Sequence, residues 1–168
     1  MKNHLFGLTM MNKTWQDRCM AVAKLCASWS KDPSTKVGAC LSRNNKRTLS
    51  TGFNRFPTWI EDTQENWNDR TFKYQRVIHA EMVALQSALE FYPRSVPGST
   101  MVSSFPVCPS CMRELVSCGI TRVVQPRLED TAGFDKKHPE WVDQWKVLEA
   151  DAIKIAESNG VEVVIHGQ

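Results

Sequence analysis

Apolar positions along the chain alternate between helical and strand-like spacing. Over residues 13–30, Trp15, Cys19, Val22, Cys26 and Trp29 recur every three or four positions, which marks one stripe of an amphipathic helix. Asn12 or Thr14 can cap it, and Asp32-Pro33 stops it. Apolar runs at 37–42 and 48–53 flank the polar turn Arg43-Asn44-Asn45-Lys46, so a β-hairpin is predicted there. Residues 54–76 carry Pro57, Trp59 and Trp67 without a clean period and are predicted as a long loop with room for one helical turn. A loop that long inside a compact domain is usually functional. Ile78, Met82, Leu85 and Leu89 define a helix over 78–92 that Pro93 ends. A strand at 100–105, a helix at 109–118 capped by Gly119 and a strand at 121–124 come next. After a second long loop, Pro139 opens a helix bearing Trp141, Trp145, Leu148, Ala152 and Ile155; Asn159-Gly160 closes it before a strand at 161–165. The order α-β-β-α-β-α-β-α-β predicts an α/β sandwich. The hairpin supplies antiparallel pairing and the βαβ units supply right-handed parallel crossovers, so the expectation is a mixed five-stranded sheet with helices on both faces.

Length and composition narrow the class without naming it. A chain of 168 residues, 42% apolar and 23% charged, reads as one soluble globular domain over 1–168, with residues 1–12 as a frayed tail. Net charge is only +3, too little to argue for nucleic acid as a partner. No run approaches the ~20 apolar residues of a membrane span. The first ten residues lack a small-residue cleavage site, so a cytoplasmic protein with no membrane partner is expected. Cysteines at 19, 26, 40, 108, 111 and 118 are too few and too unevenly spaced for a disulfide scaffold. In a reducing compartment, paired cysteines point to metal or redox chemistry.

Candidate chemistry converges on His79-Ala80-Glu81 and Cys108-Pro109-Ser110-Cys111, each at a predicted helix start. Cysteines three apart at a helix N-terminus aim both sulfurs at one spot, and the helix dipole favours their thiolates. One imidazole completes a three-ligand zinc set that leaves a fourth position for water. Glu81 is near enough to reach that water without being a ligand. Alone, Cys-x-x-Cys is equally a redox dithiol, half of a structural zinc knuckle or two core cysteines. A structural site needs a fourth protein ligand. Cys40 or Cys118 could be offered, but Cys118 lies ~10 Å further along the helix, beyond the ~2.3 Å of a zinc–sulfur bond. Cys19, Cys26 and Cys40 are read as small core hydrophobes, and His4, His138 and His166 as surface residues.

Together, His-x-Glu and Cys-x-x-Cys form the signature of zinc deaminases. The chain resembles the cytidine deaminase superfamily and, within it, the deoxycytidylate (dCMP) deaminases. The likeness covers roughly residues 13–125, with the family's last helix and strand placed in 139–165. It extends to Ser30-Lys31-Asp32-Pro33-Ser34-Thr35-Lys36-Val37-Gly38-Ala39, to Gly52-Phe53-Asn54-Arg55-Phe56-Pro57 and to His79-Ala80-Glu81-Met82. The resemblance implies a cytidine-deaminase-like three-layer sandwich and one catalytic Zn2+ per chain on His79, Cys108 and Cys111. It implies hydrolysis of dCMP to dUMP and ammonia, with Glu81 moving the proton of water to N3 of the base and then to the departing amino group. Asn54 is implied to bond the sugar or base, and the backbone of Ala80 to read the base edge. A 5′-phosphate needs positive charge, for which Lys31, Lys36, Arg43, Arg55, Lys73 and Arg76 are candidates, Lys36 and Arg55 foremost. Trp59 and Trp67 would shield the pocket, or else pack in the core or at a subunit interface.

A homo-oligomer and dCTP or dTTP as effectors are also implied. Three departures from the family pattern stand out. Val107 replaces the proline usual before the first zinc cysteine, which alters loop shape near the base. Val83 stands where asparagine is common. Gly-Phe-Asn-Arg replaces Gly-Tyr-Asn-Gly, so Arg55 is expected to weaken or abolish activation by dCTP. Competing functions are deamination of a nucleoside, a tRNA or a modified dCMP, and a non-catalytic zinc-stabilised binding module. Glu81 argues against the last, because a structural site needs no proton shuttle.

Overall fold

A computed structural model describes residues 11–131 and 139–167. Helix α1 (Lys13–Ala27) starts at Asn12, whose side chain accepts from Trp15 N at 2.9 Å. The residues just before it are held, contrary to a frayed tail through residue 12. Met11 is buried, and its carbonyl accepts from Arg122 Nη1 at 3.0 Å and from Gln16 Nε2 at 3.0 Å. Residues 1–10, His4 among them, lie outside the described residues, as does His138.

Strands β1 (Gly38–Arg43) and β2 (Arg47–Phe53) form the predicted hairpin. Asn44 and Asn45 turn it at φ 58° and 53°, a left-handed region that asparagine tolerates. Residues 54–76 differ from the predicted loop: they contain α2 (Gln64–Asn68) and α3 (Arg70–Arg76). Each is too short to show a period in the sequence. Each nonetheless has its own cap, Thr63 accepting from Asn66 N at 3.1 Å and Asp69 accepting from Phe72 N at 2.9 Å. There follow α4 (Ala80–Phe91), β3 (Thr100–Ser103), α5 (Pro109–Ser117), β4 (Arg122–Gln125), α6 (Pro139–Ser158) and β5 (Glu162–Ile165).

The sheet order is β2-β1-β3-β4-β5, antiparallel through β3 and parallel from β3 to β5. Period-two alternation divides it into two cores. Ala39, Leu41, Met101 and Val123 pack with α4, α5 and α6, while Cys40, Val102 and Val124 pack beneath α1. Helices therefore cover both faces of a mixed five-stranded sheet, giving three layers. Full burial of Met101, Met112 or Leu115 stabilises by about 1.5–3 kcal/mol each relative to exposure. Cys40 points into the α1 core, which removes it as a metal ligand. His166 is not a free surface group: its Nε2 lies 2.9 Å from Asp17 Oδ1, joining the chain after β5 to α1. Among the described residues no helix is long and apolar enough to cross a membrane.

Candidate active site

Two helix N-termini meet beyond the end of β3. His79 is the N-cap residue of α4 and Cys108 that of α5, yet neither side chain makes a capping hydrogen bond. Ser, Thr, Asp or Asn are preferred at such positions. Here the two donors turn to each other instead. His79 Nδ1 lies 3.4 Å from Cys108 Sγ and 3.3 Å from Cys111 Sγ, and the three donor atoms all lie within 4.8 Å of one another. A tetrahedral zinc ion, bonded at ~2.0–2.1 Å to nitrogen and ~2.3 Å to sulfur, separates such atoms by about 3.5 Å. The donor set fits zinc in both chemistry and spacing. A hydrogen bond from the Cys111 thiol, reinforced by His79, holds the Cys108 thiol down to about 3, and that same bond pushes Cys111 up. Thiolate is the ligating form. Cys118 stands apart from this cluster, at the C-terminal cap of α5.

Glu81, in the first turn of α4, is buried, and burial pushes its carboxyl above the ordinary carboxylate range. Ser103, the last residue of β3, donates from Oγ to Glu81 Oε1 at 2.7 Å and fixes the carboxyl. Gly52 decides where this turn can sit. A Cβ at 52 would lie 2.4 Å from Ala80 O and 2.6 Å from Ala84 N, so only glycine lets the start of α4 rest on β2. The loop before Cys108 is held from the other side. Val107 N donates to the buried Gln125 Oε1 at 3.0 Å, and Gln125 Nε2 donates to Glu149 on α6 at 3.2 Å. Proline, which has no N–H, could not make the first of these bonds. The departure from the family pattern at 107 is thus matched by Gln125. Ser103 and Gln125 carry no sequence signal; only the packing of β3 against α4, and of β4 against the loop, exposes their roles.

The start of α4 and Cys108 border a cavity of about 410 Å³. His79, Ala80, Glu81 and Cys108 line its metal side; Asp32, Asn54 and Lys73 form another wall; Trp67, Tyr74, Phe105, Trp141 and Trp145 add an aromatic one. Ala80, as the first residue of α4, carries one of the N–H groups that a helix leaves without an intrahelical acceptor. Asn54 lines the cavity, but its amide is engaged within the protein. It accepts from Val37 N at 2.8 Å and donates to Thr35 O at 2.9 Å and to Asp32 Oδ2 at 3.2 Å. Lys73 is likewise committed, 2.6 Å from Asp32 Oδ2 and 2.7 Å from Ser34 Oγ in a buried pair.

The remaining basic residues proposed for a phosphate lie elsewhere. Lys36 is exposed and absent from the cavity lining, and Arg55 donates to Phe56 O at 3.1 Å with its backbone paired to Ile78. Lys31 pairs with Asp62, Arg43 caps the carbonyls of Ser95 and Pro97, and Arg76 lies over Phe72. Trp59 is exposed, whereas Trp67 is buried against Phe56 with ring centroids 4.1 Å apart. Arg70, Trp141 and Trp145 also line the cavity but carry no sequence signal for it: Arg70 sits in the segment predicted as loop, and the tryptophans read as a helix's core stripe.

Residues 13–126 match the family described as the cytidine and deoxycytidylate deaminase zinc-binding region, a class of hydrolytic deaminases. The chain belongs to this cytidine and deoxycytidylate deaminase family, and it is a zinc-binding deaminase. An uncharacterized deaminase from the luxG 3′ region of Aliivibrio fischeri is 38% identical over 125 residues, 74% of this chain and 79% of that protein. Human deoxycytidylate deaminase is 34% identical over 116 residues, which cover 66% of this chain and 63% of that protein. The fold is shared with dCMP deaminase from the cyanophage S-TIM5 at a TM-score of 0.68 and 24% identity, over 92% of this chain and 99% of that one. The complex of the cyanophage enzyme with dCMP and dUMP matches at a TM-score of 0.66 and 21% identity, over 91% and 97%.

Proposed function

We propose that the chain hydrolyses dCMP to dUMP and ammonia, with His79, Cys108 and Cys111 holding the zinc ion and Glu81 moving the protons. The observation that carries this reading is the buried Glu81 carboxyl, fixed by Ser103 beside the three-donor cluster on one cavity. Zinc held there supplies the Lewis acidity that makes water nucleophilic near neutral pH. The Glu81 carboxylate takes the proton from the attacking water and delivers it to N3 of the pyrimidine, which makes C4 electrophilic. Once the water oxygen is bonded to C4, Glu81 takes that oxygen's remaining proton and gives it to the amino nitrogen, so the C4–N bond breaks, the C4=O closes and ammonia leaves. Acid–base help of this kind contributes ~10²–10⁴-fold. The aromatic wall excludes water from the base, and the Ala80 N–H faces its edge. Deoxycytidylate deaminase relatives support dCMP as the substrate. Ammonia release from dCMP, deoxycytidine and cytosine in parallel tests the reading; turnover confined to deoxycytidine or cytosine overturns it.

The same reading takes the enzyme to be a homo-oligomer. Trp59 and Phe91, 82% and 66% exposed, are large apolar groups suited to a subunit contact, and sedimentation velocity tests this directly. The cysteines are all unpaired, in keeping with a reducing, cytoplasmic compartment. Arg55, which donates to Phe56 O, stands where the family pattern has glycine, and on that ground activation by dCTP is taken to be weak or absent.

A further inference from the structure

The cavity lining carries one cation that enters no ion pair among the described residues. Lys73 is neutralised by Asp32, and the carboxyl of Glu81 belongs to the metal side. Arg70, the first residue of α3, lines the same cavity with its guanidinium 4.0 Å over the Trp141 ring, and has no hydrogen bond or ion pair among the described residues. An arginine stacked on an aromatic face is held in one plane and stays charged, leaving its N–H edge for a planar or tetrahedral oxyanion. A second observation points the same way. Trp67, three residues earlier and lining the same cavity, has a buried indole N–H with no partner among the described residues. An unmet buried donor is costly, and at the edge of a cavity a bound ligand can supply its acceptor.

We infer that Arg70 and Trp67 form the oxyanion subsite of the cavity and receive the phosphate monoester of the substrate. Arg70 binds it through the guanidinium edge and Trp67 through Nε1–H. This rests on the reading of the cavity as a nucleotide deaminase site, and it makes α2–α3 the element that selects nucleotide over nucleoside. Lys36 and Arg55, on other faces, take no part.

The test is the ratio of kcat/KM for dCMP to that for deoxycytidine. Arg70→Ala is expected to lower this ratio on the order of 10- to 100-fold through KM for dCMP. Arg70→Lys, which keeps charge but loses the fork and the stacking, should fall between, and Trp67→Phe should lower the ratio a few-fold. An unchanged ratio in Arg70→Ala, or equal loss on both substrates, overturns the subsite. Quenching of tryptophan fluorescence by dUMP and by inorganic phosphate keeps this separate from turnover. Saturable quenching that Arg70→Ala abolishes upholds the subsite even if dCMP is not deaminated, whereas no saturable quenching in the unmodified protein overturns it.

Discussion

The metal side of the cavity and its Asp32–Lys73 side are built on opposite principles. On the metal side, three donors and one carboxyl come from two tripeptide-scale motifs, each at a helix N-terminus and each leaving its cap position unused for capping. On the other side nothing is local. Asp32 follows α1, Asn54 follows β2 and Lys73 lies in α3, and each side chain is spent on the others: Asp32 accepts from Lys73, Asn54, Ser34 and Thr35. The first region is organised to receive an ion. The second is a closed polar network that shapes the wall and keeps little free for a ligand. A residue type that suits ligand binding is therefore a poor guide there, since Lys73 and Asn54 line the cavity with their polar atoms already engaged.

Substitutions can break this contrast in order of size. The largest effect is expected from Cys108→Ala combined with Cys111→Ala: bound zinc should fall from one per chain to near zero, and turnover with it, as measured by metal analysis and ammonia release. Glu81→Gln should separate chemistry from metal binding. Zinc content and folding persist while kcat falls ~10²–10⁴-fold, the scale of a lost acid–base group. On the opposite side, Asp32→Asn leaves the Lys73 ammonium buried without its counter-ion. It should reduce stability by about 3–5 kcal/mol in urea unfolding, with the zinc ligands untouched. If zinc content collapses in this variant under native conditions, the two regions are not separable as described.

Smaller effects sharpen the picture. Val107→Pro restores the family's usual residue but removes the donor to Gln125 Oε1 and leaves that buried oxygen unmet, a loss of about 1–3 kcal/mol. Coupling it with Gln125→Leu should recover part of the loss in a double-mutant cycle. The smallest expected response is to dCTP. Initial rates against dCMP should trace a hyperbola that dCTP leaves unchanged; a sigmoidal curve made hyperbolic by dCTP would contradict the reading of Arg55. In that event Arg55→Gly distinguishes the causes: a weaker response assigns Arg55 to the effector's phosphate, and a stronger one makes it an obstruction.

How much could be read beforehand follows from the range of each interaction. Helices of more than two turns and strands with alternating faces announce themselves, because their periods repeat within one window, and the metal ligands do so because a helix turn brings Cys108 and Cys111 together over three residues. Two features escaped that logic. Helices α2 and α3 are single-turn or two-turn pieces held by Thr63 and Asp69 caps and by burial of Trp67 and Lys73, which no period reveals. The second is the meeting of distant residues: Ser103 on Glu81, Gln125 on Val107, Arg70 on Trp141. By itself the sequence determined the order of the five strands and of the longer helices, the sheet's composition and the zinc donor set, since these depend on neighbours along the chain. Only the tertiary structure decided which polar groups are spent and which remain for a ligand, because satisfaction of a buried group depends on what the fold carries to it from elsewhere.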